Sequence, residues 1–272
     1  MQPSPQAADI TLTNHPPAAS LDPEWRQPTE AADLAARGLP PELAGVPELM
    51  AFRTANSATF EMADGNYKTI LSTDSLHYQT AVNTWEVIEP AFHLDPDTGS
   101  FIVSHNSVRS RAGLNDAWLS ATAGDVSLRW QASELGFVNE SGGFTQLAHA
   151  LPEGGAATEQ HEDDRLLHYR DGWSDATLSE QFISAPDSVE HLLLLEEPPQ
   201  VGDGRFLELR AHLTLLPNTS MWANDQEQNG RFQTQDAIEI RSADGGVALT
   251  LDPVRAFEME NPGTAFAGEY TA

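Results

Sequence analysis

The sequence predicts an all-β protein: two consecutive antiparallel sandwich-like modules, residues 47–155 and 156–272, preceded by an extended arm, residues 1–46. Three observations carry this reading. Apolar and polar residues alternate over strand lengths, most cleanly where Leu207, Leu209, Ala211, Leu213 and Leu215 interleave with Glu208, Arg210, His212 and Thr214. Turn residues punctuate these stretches, among them Asp64-Gly65 and Asp244-Gly245-Gly246. No repeat of fixed period is visible, which argues against a solenoid or propeller.

The arm is rich in Pro and Ala, with Pro16-Pro17 and Pro40-Pro41. Within it Thr29 is placed to cap a short helix through Arg37, with Asp33 in its early turns and Gly38 to end it. Ile10 and Leu12 alternate with Thr11 and Thr13 like a strand. The arm therefore reads as a flexible linker, as a segment docked on its own module, or as a strand donated to a neighbouring copy. In the first module, Tyr67, Ile70, Tyr78 and Trp85 recur at strand spacing, and Val126, Leu128 and Trp130 face opposite to Asp125, Ser127 and Arg129. Residues 151–164 are acidic and Gly-rich without periodicity, as a connector is. Beyond them, 189–195 is continuously apolar enough for a strand covered on both faces, and Val247, Leu249 and Leu251 follow the second turn.

Charge is the outlier in composition. Against 41 Asp and Glu stand 14 Lys and Arg, giving a formal net charge of -27, and Lys68 is the single lysine. Such a chain repels nucleic acid and anionic membranes, and no run of cations exceeds Arg109 and Arg111. Self-repulsion at this charge destabilises the compact state. The melting temperature is therefore expected to rise in calorimetry between about 0.01 and about 1 M NaCl as screening shortens from ~30 to ~3 Å. A flat response overturns that argument. Cysteine is absent, so disulfides and thiolate metal sites are excluded. No apolar run approaches the ~20 residues of a membrane span, and residues 1–10 lack the basic and apolar segments of a signal peptide.

Motifs carry little chemistry. There is no Gly-x-Ser-x-Gly elbow, no zinc-binding His-Glu-x-x-His, no phosphate-cradling Gly loop and no dinucleotide fingerprint. The sequence thus predicts no catalytic residue, no organic cofactor and a non-enzymatic protein. Asp74, Ser75 and His77 are triad residue types adjacent in sequence, which is not triad geometry. His161 with Glu162, Asp163 and Asp164 reads as a solvated acidic loop. Asp95, Asp97 and Ser100 around Gly99 form an oxygen-rich turn that resembles part of a calcium loop without its distal Glu. The same residues also read as a plain β-turn between Leu94 and Phe101. If they form a site, calcium adds more stability than sodium at equal ionic strength, and Asp97→Ala abolishes the difference. Of the tryptophans, Trp118 and Trp222 lie in polar surroundings and are the candidates for stacking on a glycan. The paired acids of a glycoside hydrolase leave no sequence signature, so a carbohydrate-active module stands as the alternative class.

Two blocks of words carry a family resemblance. The first is Arg53-Thr54, Asn56-Ser57, Thr59-Phe60, Gly65, Tyr67, Leu76-His77-Tyr78, Trp85, Ile88 and Asn106-Ser107. The second is Tyr169, Asp171, Trp173, Asp175, Leu178 and Ser188-Val189-Glu190 ahead of Leu193. Together they resemble the N-terminal leader region of bacterial RHS (YD-repeat) proteins and of large secreted, wall-associated proteins with DNRLRE-type modules. Glu190-His191 replaces a usual basic residue there. The resemblance implies an extracellular or cell-surface β-rich scaffold without catalytic residues in this region. Its partners would be other surface-protein domains, copies of itself, or a glycan.

Overall fold

The computed structural model describes residues 8–12, 26–73, 75–82, 84–104, 106–114, 116–151, 157–159, 164–197, 206–217, 219–258 and 261–271. Strand makes up 56% and helix 5% of the chain, in several antiparallel sheets with no closed barrel, so the all-β sandwich-like class holds.

The first sheet joins β1 (Ala8–Leu12), β2 (Arg26–Pro28), β3 (Pro47–Leu49), β4 (Ser57–Glu61) and β5 (Tyr67–Leu71) in the order β1-β5-β4-β3-β2. Asp64-Gly65 closes the β4–β5 hairpin as expected. Gly65 takes φ +81 and Asp64 accepts the Asn66 N–H at 3.0 Å. The strand within the arm finds its acceptor in the same chain, β1 running antiparallel to β5 from Ala8 opposite Leu71 to Leu12 opposite Tyr67. The arm also supplies core. Leu34 of helix α1 (Ala31–Ala36), with Leu39 and Leu43, packs on Ala58, Phe60, Ile70 and Leu76. Gly38 ends the helix at φ +63, as expected. Thr29 does not cap it. The N-cap is Glu30 without a side-chain bond, and Thr29 Oγ1 instead donates to the Val46 carbonyl at 2.8 Å, tying the start of the helical stretch to the end of the arm. A two-stranded ribbon, β6 (His77–Ala81) with β7 (Thr84–Val87), follows.

The second sheet is the frame of the molecule. It contains β8 (His93–Asp95), β9 (Ser100–Val103), β10 (Arg109–Gly113), β11 (Trp118–Ala123), β12 (Val126–Val138) and β13 (Phe144–His149). β12 is 13 residues long and pairs with β11 over its first half and with β13 over its second. Its other edge is taken from Leu128 to Val138 by a strand much later in the chain.

Between them comes a four-stranded sheet of β14 (Ala157–Glu159), β15 (Leu166–Tyr169), β16 (Leu178–Ala185) and β17 (Ser188–Leu195). β18 (Phe206–Leu215) is the strand that returns to β12. A second four-stranded sheet follows, with β19 (Ser220–Ala223), β20 (Gln226–Glu227), β22 (Ile238–Arg241) and β23 (Val247–Leu251). Two ribbons complete the fold, β21 (Gln233–Thr234) with β26 (Tyr270–Thr271) and β24 (Arg255–Glu258) with β25 (Asn261–Ala267).

Both four-stranded sheets cover the same inward face of the second sheet. Phe92, Phe101, Val103, Ala112 and Leu119 meet Leu167, Tyr169 and Phe182. Ala121, Val126 and Leu128 meet Ile238, Ile240 and Leu249. A further cluster places Ala132, Leu135 and Ala148 against Trp173 and Leu178. Sheet and cores therefore run across the 155/156 position expected to separate two modules. The alternation in β18 is real but shallow, since Leu209, Leu213 and Leu215 are half-buried and Leu207 is exposed. The four leucines ending β17 are half-buried on both faces rather than covered.

Candidate functional site

The Asp95 turn closes on its own hydrogen bonds. One Asp95 carboxylate oxygen accepts the Asp97 N–H at 3.0 Å and the other the Thr98 hydroxyl at 2.6 Å, while Thr98 and Ser100 hydroxyls lie 2.8 Å apart. The Thr98 hydroxyl first, then the Asp97 amide, hold Asp95 below the usual carboxylate range, with the charge of Arg111 adding to them. Gly99 sits at φ +61 and returns its N–H to the Asp95 carbonyl. The side chain that serves the backbone in this turn is that of Asp95, while Asp97 and Gly99 contribute their N–H groups. Among the described residues no three His, Cys, Asp or Glu side chains converge as a metal site would require. Asp74 and residues 161–163 lie outside the described residues.

His77, singled out for its neighbours in sequence, belongs instead to a sealed ionic centre. Glu48, Arg37, Arg53 and His77 are 1%, 6%, 5% and 0% exposed, too enclosed to meet a substrate. Arg53 grips Glu48 bidentately, Nε to Oε1 at 3.0 Å and Nη2 to Oε2 at 2.9 Å, and Arg37 Nη1 reaches Oε2 at 3.1 Å. His77 Nδ1 donates to the Thr54 carbonyl at 2.8 Å, which sets its Nε2 between Glu48 Oε1 at 2.9 Å and Arg37 Nη1 at 3.0 Å. Burial would raise the pKa of Glu48, but hydrogen bonds from His77 and Arg53 and the two guanidinium charges outweigh it and bring it down to about 2. The centre joins helix α1, β3, the start of the β4 hairpin and β6. Nothing in the sequence marks it, because the four residues share no spacing.

A second buried carboxylate, Glu180 on β16, accepts the Trp173 indole N–H at 2.8 Å and lies 2.8 Å from His191 Nε2 on β17. The His191 ring packs on Phe182 and edge-on to Trp130, so this pair faces the core.

The exposed chemistry lies on the outward face of the second sheet. Register places His93, Ile102, Arg111, Ser120, Arg129 and Thr214 in one row across six strands. Trp118 stands beside this row on β11, and Arg109 on β10. Arg111 and Arg129 are two strands apart, about 10 Å between backbones. Arg129 rests 4.4 Å from the centroid of the Trp118 ring. Arg26, Arg37, Arg53, Arg210 and Arg241 are all held by carboxylates, whereas Arg109, Arg111 and Arg129 are exposed and ion-paired to none of the described residues. The sequence showed Arg109 and Arg111 as the longest cationic run. Folding adds Arg129, whose outward direction its alternation with Leu128 and Trp130 already required.

Trp118 lines a hollow of about 330 Å³ with Thr98, Ser100, Arg111 and Asp116. Gly113 makes it possible, since a Cβ there would collide with the Asp116 carbonyl and with Trp118 Nε1. The Tyr169 hydroxyl, its pKa pushed up by burial with Glu180 and Asp116 nearby, donates to the Gly113 carbonyl at 2.5 Å and anchors the loop from below. Trp222, the other expected candidate, lines a separate hollow of about 350 Å³ with Ser220 and Ser242. Its ring carries Arg241 at 4.1 Å, and Glu239 neutralises that arginine. The structure thus does not bring the two candidate tryptophans into one site. No family model, curated protein or solved structure matches the chain.

Proposed function

We propose that this chain is a non-enzymatic adhesive scaffold of a bacterial cell surface or secreted protein, meeting its partner through the outward face of the second sheet. The observation that carries this is charge. On a chain of net charge -27, three of the 14 cations, Arg109, Arg111 and Arg129, stand exposed together on one sheet face beside Trp118, without a salt bridge to any described residue. The shielded ionic centre of Glu48, Arg37 and Arg53 supports a scaffold, because its charges hold elements together and do not open to solvent. The words shared with surface-protein leader regions support the location. Beads coated with the full chain are expected to retain bacterial cells and cell-wall fragments. The double variant Arg111→Glu/Arg129→Glu should reduce retention about tenfold, as loss of charged contacts implies, while Arg170→Glu, exposed elsewhere, leaves it unchanged. Equal retention by all three, with matched thermal melts, overturns the proposal.

A further inference from the structure

Resting on that adhesive reading, we infer that the hollow at Trp118 binds a sugar ring bearing a carboxylate or sulfate. Its volume, about 330 Å³, falls at the small end of ligand pockets and suits one ring rather than an extended polymer cross-section. Three complementary groups converge on it. Trp118 contributes an indole ring that carries Arg129 on one face, Arg111 a guanidinium that forms no salt bridge with the described residues although its charge acts on Asp95, and Asp116 a side-chain carboxylate that lines the hollow. A sugar presents the matching set: an apolar ring face, an anionic substituent for the arginine, and hydroxyls that donate to the aspartate. Arg129, held on the Trp118 ring, adds a second positive charge at the rim.

Charge decides against the competing ligands. Asp116 at the hollow and the field of a chain at -27 repel ligands with dense negative charge, such as nucleic acid or an acidic peptide, whereas one anionic group per ring matches the local cations. The Trp222 hollow lacks this character because Glu239 already engages Arg241, so it serves as an internal control.

Calorimetric titration of the full chain tests the assignment with oligogalacturonate, its neutral methyl ester, galactose 6-sulfate, poly-L-glutamate and a thymidine oligonucleotide. Saturable binding of oligogalacturonate or galactose 6-sulfate is expected, the stronger of the two identifying the anionic group. It should weaken about tenfold or more in Arg111→Gln and in Trp118→Ala, and persist in Trp222→Ala. Binding of the methyl ester with the same affinity, or no effect of Arg111→Gln, overturns the anionic assignment. Equal binding of poly-L-glutamate or of the oligonucleotide overturns the sugar while leaving the adhesive face in place. If no anion binds at all and the beads retain no cells, both readings fall.

Discussion

Glu48→Gln is expected to destabilise the protein by about 3–5 kcal/mol, because it leaves two guanidinium charges buried without their counter-charge. In a chain of this size that lowers the melting temperature by roughly 10 °C. Glutamine preserves shape, so packing is not the cause of the loss. The converse experiment isolates the charge. Replacing Glu48, Arg37 and Arg53 together by apolar residues of similar volume removes the desolvation cost along with the attraction, and is expected to be near neutral or stabilising. The pH dependence has a definite sign. Glu48 lies at about 2 in the folded state against an ordinary value of 4.5, so its contribution is complete above roughly pH 4.5 and is lost as pH falls toward 2. A shift of that size corresponds to about 3 kcal/mol. Urea titrations of the native protein and Glu48→Gln between those pH values read the difference directly, since the other carboxylates are common to both. A constant gap across that window removes Glu48 as the source.

This centre also shows where sequence reading stops. Alternation assigns a residue to a face, and turn residues assign a reversal. Both kinds of inference held at Asp64-Gly65, at Asp244-Gly245-Gly246, where Ser242 and Gly246 close the hairpin, and at Val126, Leu128 and Trp130. Neither says which strand lies alongside. The return of β18 to β12 joins Arg210 to Glu134 across 76 positions, a separation no local pattern encodes. The arm misleads for a related reason. Leu34, Leu39 and Leu43 follow neither a period of 2 nor a long helical stripe, and the surrounding prolines suggest a linker, although all three are buried. At the candidate site Trp118 was legible from its polar neighbours. The Arg111–Ser120–Arg129 row was not, because it exists only once three strands are in register.

Trp173→Ala tests whether the two halves of the sequence unfold as one. Trp173 is 3% exposed and packs in the cluster that joins Ala132, Leu135 and Ala148 to Leu178. Truncating a buried tryptophan costs about 3–5 kcal/mol in lost transfer energy and cavity. Here it also leaves Glu180, 1% exposed, without the indole N–H that satisfies one of its oxygens. Trp173→Phe separates the two contributions: it refills most of the volume but not the hydrogen bond, and is expected to cost about 1–3 kcal/mol. Because this cluster and the β12–β18 pairing both cross the middle of the chain, the loss should appear in a single transition shifted as a whole. Near-ultraviolet circular dichroism, which senses the aromatic packing throughout, and hydrogen exchange at β9 to β11 should report the same midpoint. If β9 to β11 keep their native protection while β15 to β17 unfold, the halves are independent modules, and neither the Trp173 cluster nor the β12–β18 pairing couples them.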